Sequence, residues 1–207
     1  GRTHITGYGG WPPPEHVHKY LNVFADFINK HIIDGHILDL GCGDGAVARI
    51  VAAKNPRKKI TAVDLEAHPH WNIKPPKNLN FEVASIYKLP YKNHSFDSIV
   101  LKDVLHHLPD PEAALQKITK LAKKQVLVIE ANRYNPVSYV RMVKIAGHEH
   151  FSQRKLKNVI GRPAKIHTIE NHVWPDKLKI PGKIVDSTLS LPPFSRLRNY
   201  NLALFEP

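Results

Sequence analysis

Three glycines and two carboxylates fall within one eight-residue run of this chain, Leu38-Asp39-Leu40-Gly41-Cys42-Gly43-Asp44-Gly45. Glycines at alternate positions let a backbone turn tightly and approach a ligand closely. A helix that opens directly after such a turn offers its free N–H groups to the same ligand. The third glycine comes one residue earlier than in the GxGxxG pattern that cradles a dinucleotide pyrophosphate. Asp39 and Asp44 also make the turn acidic. Carboxylates repel a pyrophosphate and favour a ligand with positive charge, such as one bearing an amino group and a sulfonium. Asp64 lies about 20 positions further on, where a carboxylate ending a second strand can hold both hydroxyls of a ribose.

Histidines are the other candidates for chemistry. His106 and His107 follow an apolar segment, and an imidazole is suited to taking a proton near neutrality. An equally ordinary use for one of them is packing on a sheet, with the other closing the ligand site. His148 and His150 flank Glu149, but two histidines at that spacing share a side only on a strand. No third ligand stands at a regular spacing, so no metal site is expected.

These residues need elements to hold them. Glu15–Lys30 repeats apolar residues at helical spacing. His36–Leu40 reads as a strand, 41–45 as the turn, Ala46–Asn55 as a helix stopped by Pro56, and Lys59–Val63 as a second strand. That order is a βαβ unit. Leu79–Ala84 and Phe96–Lys102 are strand candidates. Asp110-Pro111 opens a helix expected to reach Lys124, and Gln125–Glu130 is a fifth, fully apolar-faced strand. Residues 131–180 break the alternation and read as a helical lid insertion, with helices from Asn135-Pro136 to Ala146 and from Ser152 to Ile160. Lys183–Leu189 and Tyr200–Phe205 are expected to close the sheet as strands. The chain is thus expected to be one α/β domain over residues 1–207, a doubly wound, Rossmann-like sheet of seven strands. Residues 1–14, rich in Gly, Pro and aromatics, are expected to be a mobile arm that closes over the ligand.

The chain has 30 Lys and Arg against 18 Asp and Glu, a formal net charge of +12, and 42% hydrophobic residues. That apolar share excludes global disorder. A lone cysteine excludes an internal disulfide framework and points to a reducing, cytoplasmic setting. No apolar run is long enough to span a bilayer, and the first residues do not read as a secretory signal. The positive charge suits a polyanion such as RNA or an anionic lipid surface, or serves solubility alone.

The run ILDLGCGDG, Asp64 and the segment SFDSIVLKDVLHHLPDP together resemble the class I S-adenosylmethionine-dependent methyltransferases, across about residues 34–135. The resemblance implies S-adenosyl-L-methionine as cofactor and a last strand antiparallel to the rest. It places Asp39, Gly41, Cys42 and Gly43 around the methionine part, Asp64 on the ribose, and Leu65 and Glu66 beside the adenosine. Ser85 stands where the family usually has an acidic residue for the adenine amino group. Ile86 would give adenine a backbone N–H and an apolar wall. Lys102 lies at the methionine end, placed to reach either the methionine carboxylate or the acceptor. The acceptor is expected to be a small molecule or lipid-like metabolite, set by Arg133, Tyr134, His148 and His150 of the lid. RNA as acceptor and a non-catalytic binding module are the alternatives.

Overall fold

The structure is a computed structural model and describes residues 11–145, 147, 149–174 and 179–207. Most of the expected arm and His148 lie outside the described residues. The helix α1 (Glu15–His31) buries Val17, Leu21, Phe24, Ala25 and Ile28, the residues that recur at helical spacing. Strand β1 (Gly35–Leu40) leads through the glycine turn into α2 (Ala46–Lys54), and β2 (Lys58–Asp64) returns beside β1. Strands β3 (Leu79–Val83) and β4 (Phe96–Lys102) follow. The Asp110 carboxylate accepts the Ala113 N–H at 2.9 Å and caps α3 (Pro111–Thr119). This helix ends before Lys124. Ala122 already pairs with Phe96, so β5 (Ala122–Ala131) begins three residues earlier than the apolar run suggested.

After β5, Asn135 caps a short α4 (Pro136–Ser138) that widens into a π-helical turn over Tyr139–Ile145. Ser152 caps α5 (Gln153–Ile160), and Gly161 ends it in the left-handed region. Strand β6 (Lys165–Ile169), α6 (Lys179–Leu189) and β7 (Tyr200–Phe205) complete the described chain.

The seven strands stand in the order β3-β2-β1-β4-β5-β7-β6. All pairings are parallel except those of β7, which is antiparallel to β5 and to β6. Alternate side chains face opposite helix layers. Ile37, Ile60, Val100, Leu127 and Ile129 pack with α1 and α2, and Leu38, Leu40, Leu101, Val126 and Val128 pack with α3 and α5.

The sheet has the expected strand number and antiparallel last strand, but its sixth strand lies elsewhere. Lys183–Leu189 is helix, not strand, and residues 165–169 within the expected insertion supply β6. The local reason is Gly182. A Cβ there would come within 2.2 Å of the Trp174 ring, so the helix backbone packs against that indole. The insertion after β5 is therefore confined to the segment before β6, and a second excursion separates β6 from β7.

Because β6 runs in the same direction as β5, both excursions leave from the carboxyl edge of the sheet. Side-chain amides bind them together. Asn132 Nδ2 donates to the Arg196 and Arg198 carbonyls, each at 2.9 Å. Asn135 Nδ2 donates to the Leu197 carbonyl at 2.9 Å and to both Glu170 oxygens at 3.2 and 3.1 Å. The Asn199 backbone N–H meets the same carboxylate at 2.8 Å. The two segments form one cap. Asn135→Ala would leave the buried Glu170 carboxylate short of a donor and remove the cap of α4. We expect a loss of about 2–3 kcal/mol in urea unfolding.

Candidate active site

The carboxyl ends of β1, β2, β4 and β5 bring the candidate residues together. In the turn after β1, Gly41, Gly43 and Gly45 have φ of 74, 56 and 77°, a region that side-chain-bearing residues enter at a cost. Space forbids a side chain as well. A Cβ on Gly41 would lie 2.4 Å from Val104, and one on Gly45 2.3 Å from the Phe81 ring. The Gly41 and Cys42 N–H groups donate to the Val63 carbonyl at 2.8 and 3.1 Å. Asp64 holds the turn from the other strand. Its carboxylate accepts the Gly43 N–H and the Leu65 N–H, both at 2.7 Å. Each of these oxygens has a second lone pair, so the carboxylate can still accept hydroxyls.

Burial pushes the Asp39 carboxyl up to about 7, the Asp64 charge adds to the rise, and Lys102 opposes it. Burial and then the charges of Asp39, Asp64 and Asp44 push the Cys42 thiol far up, so it is no nucleophile here. An electrostatic environment that disfavours one more negative charge is one that welcomes a cation.

Lys102 lies on the same sheet face as Asp39. Its ammonium pairs with Asp103 and stands 4.7 Å from the Phe24 ring centre and 5.3 Å from that of Tyr200. Burial alone would lower the Lys102 pKa; the charge and hydrogen bond of Asp103, with Tyr20 and Glu130, together outweigh it and the net shift is upward. Tyr200 Oη donates to Asp103 at 3.4 Å and meets Tyr20 Oη at 2.7 Å. Asp103 has φ of 55°, a left-handed backbone that Asp adopts more readily than most residues.

On the opposite face, Glu130 has no exposed surface. One carboxylate oxygen accepts the Val104 and Leu105 N–H groups at 3.1 and 2.7 Å, and the other meets His106 Nδ1 at 2.6 Å. Nδ1–H is therefore the donor, which leaves Nε2 to accept. Burial alone would lower the His106 pKa, but the Glu130 hydrogen bond and charge outweigh it and raise it above the ordinary value. The His107 and His150 rings lie 4.0 and 4.7 Å from the His106 ring. His106 lines a cleft of about 490 Å³, together with Asp110, Glu149, Phe151 and Lys155.

The remaining candidates spread out. Ser85 Oγ accepts the Tyr87 N–H at 3.3 Å, and Ile86 packs on the core. Arg133 pairs with Glu149, while Tyr134 is 62% exposed. Glu130, Asp103, Tyr20 and Tyr200 were not singled out by sequence reasoning. Only Glu130 carried a local signal, a charge ending an otherwise apolar strand. Trp71 was also missed. Its Nε1 donates to the Gly43 carbonyl at 3.0 Å, and its ring stacks on Phe81 at 4.9 Å. These two rings wall a depression of about 500 Å³ beside the turn. Among the described residues, Glu170, His172 and Asp186 bring one possible metal-ligand atom each within 4.8 Å of one another. Glu170 and His172 there belong to the hydrogen-bond network of the cap.

Residues 38–129, which span the turn, Asp64, the histidine pair and most of β5, match the methyltransferase domain family. This match runs from within β1 to within β5 of the seven-stranded sheet, whose strand order and antiparallel β7 are those of the class I S-adenosylmethionine-dependent methyltransferase fold. The ubiquinone biosynthesis O-methyltransferase of Neisseria meningitidis is 27% identical over 135 residues, covering 61% of this chain and 54% of the relative. The demethylmenaquinone methyltransferase of Chlamydia pneumoniae is 33% identical over 91 residues, covering 41% and 38%. The chain spans about half the length of the first curated relatives it matches. Coclaurine N-methyltransferase, solved with N-methylheliamine and S-adenosylhomocysteine, superposes with a TM-score of 0.63 at 17% identity, over 90% of this chain and 70% of that one. That likeness is one of fold.

The methyltransferase domain has a proton balance that can be measured. Asp39 keeps its proton up to about pH 7 in the folded protein, whereas an unfolded Asp loses it near the ordinary value of 3.8. The neutral form therefore stabilises the fold below the unfolded value, and this contribution is lost as pH rises toward 7. A ligand ammonium placed beside it would drive the proton off. Calorimetry of S-adenosylhomocysteine binding at pH 6, in buffers of different ionisation enthalpy, is expected to show proton release that Asp39→Asn removes.

Asp64→Ala is expected to weaken S-adenosylhomocysteine at least tenfold, since each hydrogen bond to a charged acceptor contributes roughly 1–3 kcal/mol. Isothermal titration with the wild type alongside decides it.

Proposed function

We propose that this chain transfers a methyl group from S-adenosyl-L-methionine to a small, lipid-like acceptor. The observation that carries the reading is the acidic glycine turn, where Asp39 and Asp64 flank backbone that only glycine allows. The residues present fit the cofactor. Asp39 and the 41–43 backbone would hold the methionine ammonium end, Asp64 the ribose, and Leu65, Ser85 and Ile86 the adenosine. The Lys102 ammonium makes a single hydrogen bond among the described residues, to Asp103, so further N–H donors remain for a carboxylate. Bound there, the cofactor supplies a methyl group on a positively charged sulfur, which leaves as a neutral thioether.

The protein's work is then alignment and proton handling. His106 is held by Glu130 with Nε2 free to take a proton from a hydroxyl acceptor, and the cleft it lines admits one. Arg133 and Tyr134, the first exposed side chains beyond β5, are placed to set acceptor choice, with Arg133 leaving Glu149 for an anionic group. His150 and His107 wall the same histidine cluster. The lipid-like reading draws on the quinone-pathway names of the curated relatives and on the apolar cap. An RNA acceptor finds support in the net charge alone.

The test is to measure S-adenosylhomocysteine and NADH affinity, then turnover with hydroquinone-type acceptors. Tighter NADH binding would overturn the reading. His106→Gln is expected to lower kcat by about 10²–10⁴ while leaving S-adenosylhomocysteine affinity unchanged. The acid limb of the wild-type pH profile should lie above the ordinary histidine value, because His106 must be neutral to act. Glu130→Gln should move that limb downward, since it removes the charge that holds the proton on His106. A limb that does not move would assign the proton to another group.

A further inference from the structure

The cap at the carboxyl edge leaves several large apolar side chains exposed. Ile145 and Ile180 are 76% and 77% exposed, and Val140, Ile184, Leu191 and Phe194 are exposed as well. Val140 and Ile145 lie on the segment after β5, and the other four lie between β6 and β7. The amide network of Asn132, Asn135 and Asn199 fixes the two segments to each other, and Arg141 Nη1 adds a bond to the Val173 carbonyl at 3.3 Å.

Ile180 and Ile184 are one turn apart and share a side of α6. Lys179 and Lys183 precede them, each adjacent in sequence to one isoleucine. Arg141, Lys144 and Arg196 are exposed on the same segments. The described carboxylates of the cap are engaged inward or pairwise: Glu149 with Arg133, Glu170 with Asn135 and Asn199, and Asp186 with the Trp174 indole. The cap thus offers branched aliphatic side chains beside Lys183, Lys144 and Arg196, which form no ion pair among the described residues.

We propose that this cap is a docking surface for an anionic lipid bilayer, with the aliphatic side chains entering the headgroup boundary and the lysines and arginines meeting lipid phosphates. Long basic side chains can extend their charge to a phosphate while the stem lies along apolar surface. Shallow aliphatic insertion with flanking cations is how an interfacial helix binds reversibly. RNA fits less well, because five of these six exposed apolar side chains are aliphatic and give bases no ring to stack on. Docked this way, the edge that holds His106 and the glycine turn faces the lipid phase, and an apolar acceptor reaches the site without crossing water. The surface is independent of methyl transfer, so its failure would leave the cofactor reading intact.

The experiment is co-sedimentation of the full chain with phosphatidylcholine vesicles, with and without phosphatidylglycerol. The wild type is expected to sediment with the phosphatidylglycerol vesicles, less so at high salt. Ile180→Asp with Ile184→Asp should weaken binding about tenfold or more, with S-adenosylhomocysteine affinity and melting temperature unchanged. Lys183→Glu with Arg196→Glu, which removes no apolar contact, should abolish the preference for anionic vesicles. The proposal is overturned if the wild type stays in the supernatant with both vesicle types, or if both variants bind as it does. It is equally overturned if ultracentrifugation shows a wild-type dimer that the aspartates dissociate, or if a structured RNA displaces the protein from vesicles at lower concentration than a dextran sulfate control.

Discussion

Glu130 stands one residue before the end of the buried strand β5 with no surface in contact with water, and an ionised carboxylate is tolerable there only when donors surround it. Three donors do: the Val104 and Leu105 N–H groups and His106 Nδ1. Satisfying that one carboxylate folds the chain after β4 back across the end of β5. It also places His106 at the sheet edge with its side chain nearly covered, and it fixes which His106 nitrogen carries the hydrogen. Val104, pulled in by the same bond, packs against the turn so closely that residue 41 has no room for a side chain. The close fit at Gly41 and the orientation of the candidate base thus both depend on one buried carboxylate.

The opposite face solves a second charge problem differently. Asp39, Lys102 and Asp103 are brought to one edge, two negative groups and one positive. Lys102 pairs with Asp103, with the Phe24 and Tyr200 rings beside its ammonium, and Asp39 keeps its proton instead. A site with one carboxylate paired and another held neutral has an ionisation in reserve. It can become more negative when a cation arrives, without having to keep an unpaired charge buried beforehand. Tyr20 and Tyr200, 180 residues apart in sequence, close the arrangement by sharing a hydrogen bond.

The half of the fold between β1 and β5 was legible because local rules fix it. Short apolar strands, a glycine-rich turn and a proline-started helix each write their signature in adjacent residues. After β5 the signal weakened for physical reasons. Lys183–Leu189 is rich in Ile, Val and Thr, residues that favour strands in isolation, yet it is helical because Gly182 lets it pack on Trp174. Lys165–Ile169 carries three polar residues among five, and it forms a strand because β7 lies beside it to accept the pairing. Site residues divided the same way. Asp39 and Asp64 were visible from motif spacing, while Tyr20, Tyr200 and the meaning of Glu130 depend on which strands become neighbours.

The charge of the chain acquires a geography from this fold. A formal +12 makes the surroundings of the molecule repel cations over a Debye length of about 8–10 Å at ordinary salt. Yet the glycine turn concentrates Asp39, Asp44 and Asp64 around a few backbone N–H groups. At contact distance inside a partly desolvated site, a nearby carboxylate outweighs charges that salt and water screen. The local field can therefore be inverted against the global one. The consequence is a sorting of ligands by depth: anionic surfaces are attracted to the basic exterior and the cap, and cationic groups are retained only where they reach the turn. A domain that must retain a sulfonium-bearing cofactor beneath a basic exterior needs that separation, because a uniformly basic edge would push the cofactor's cation away.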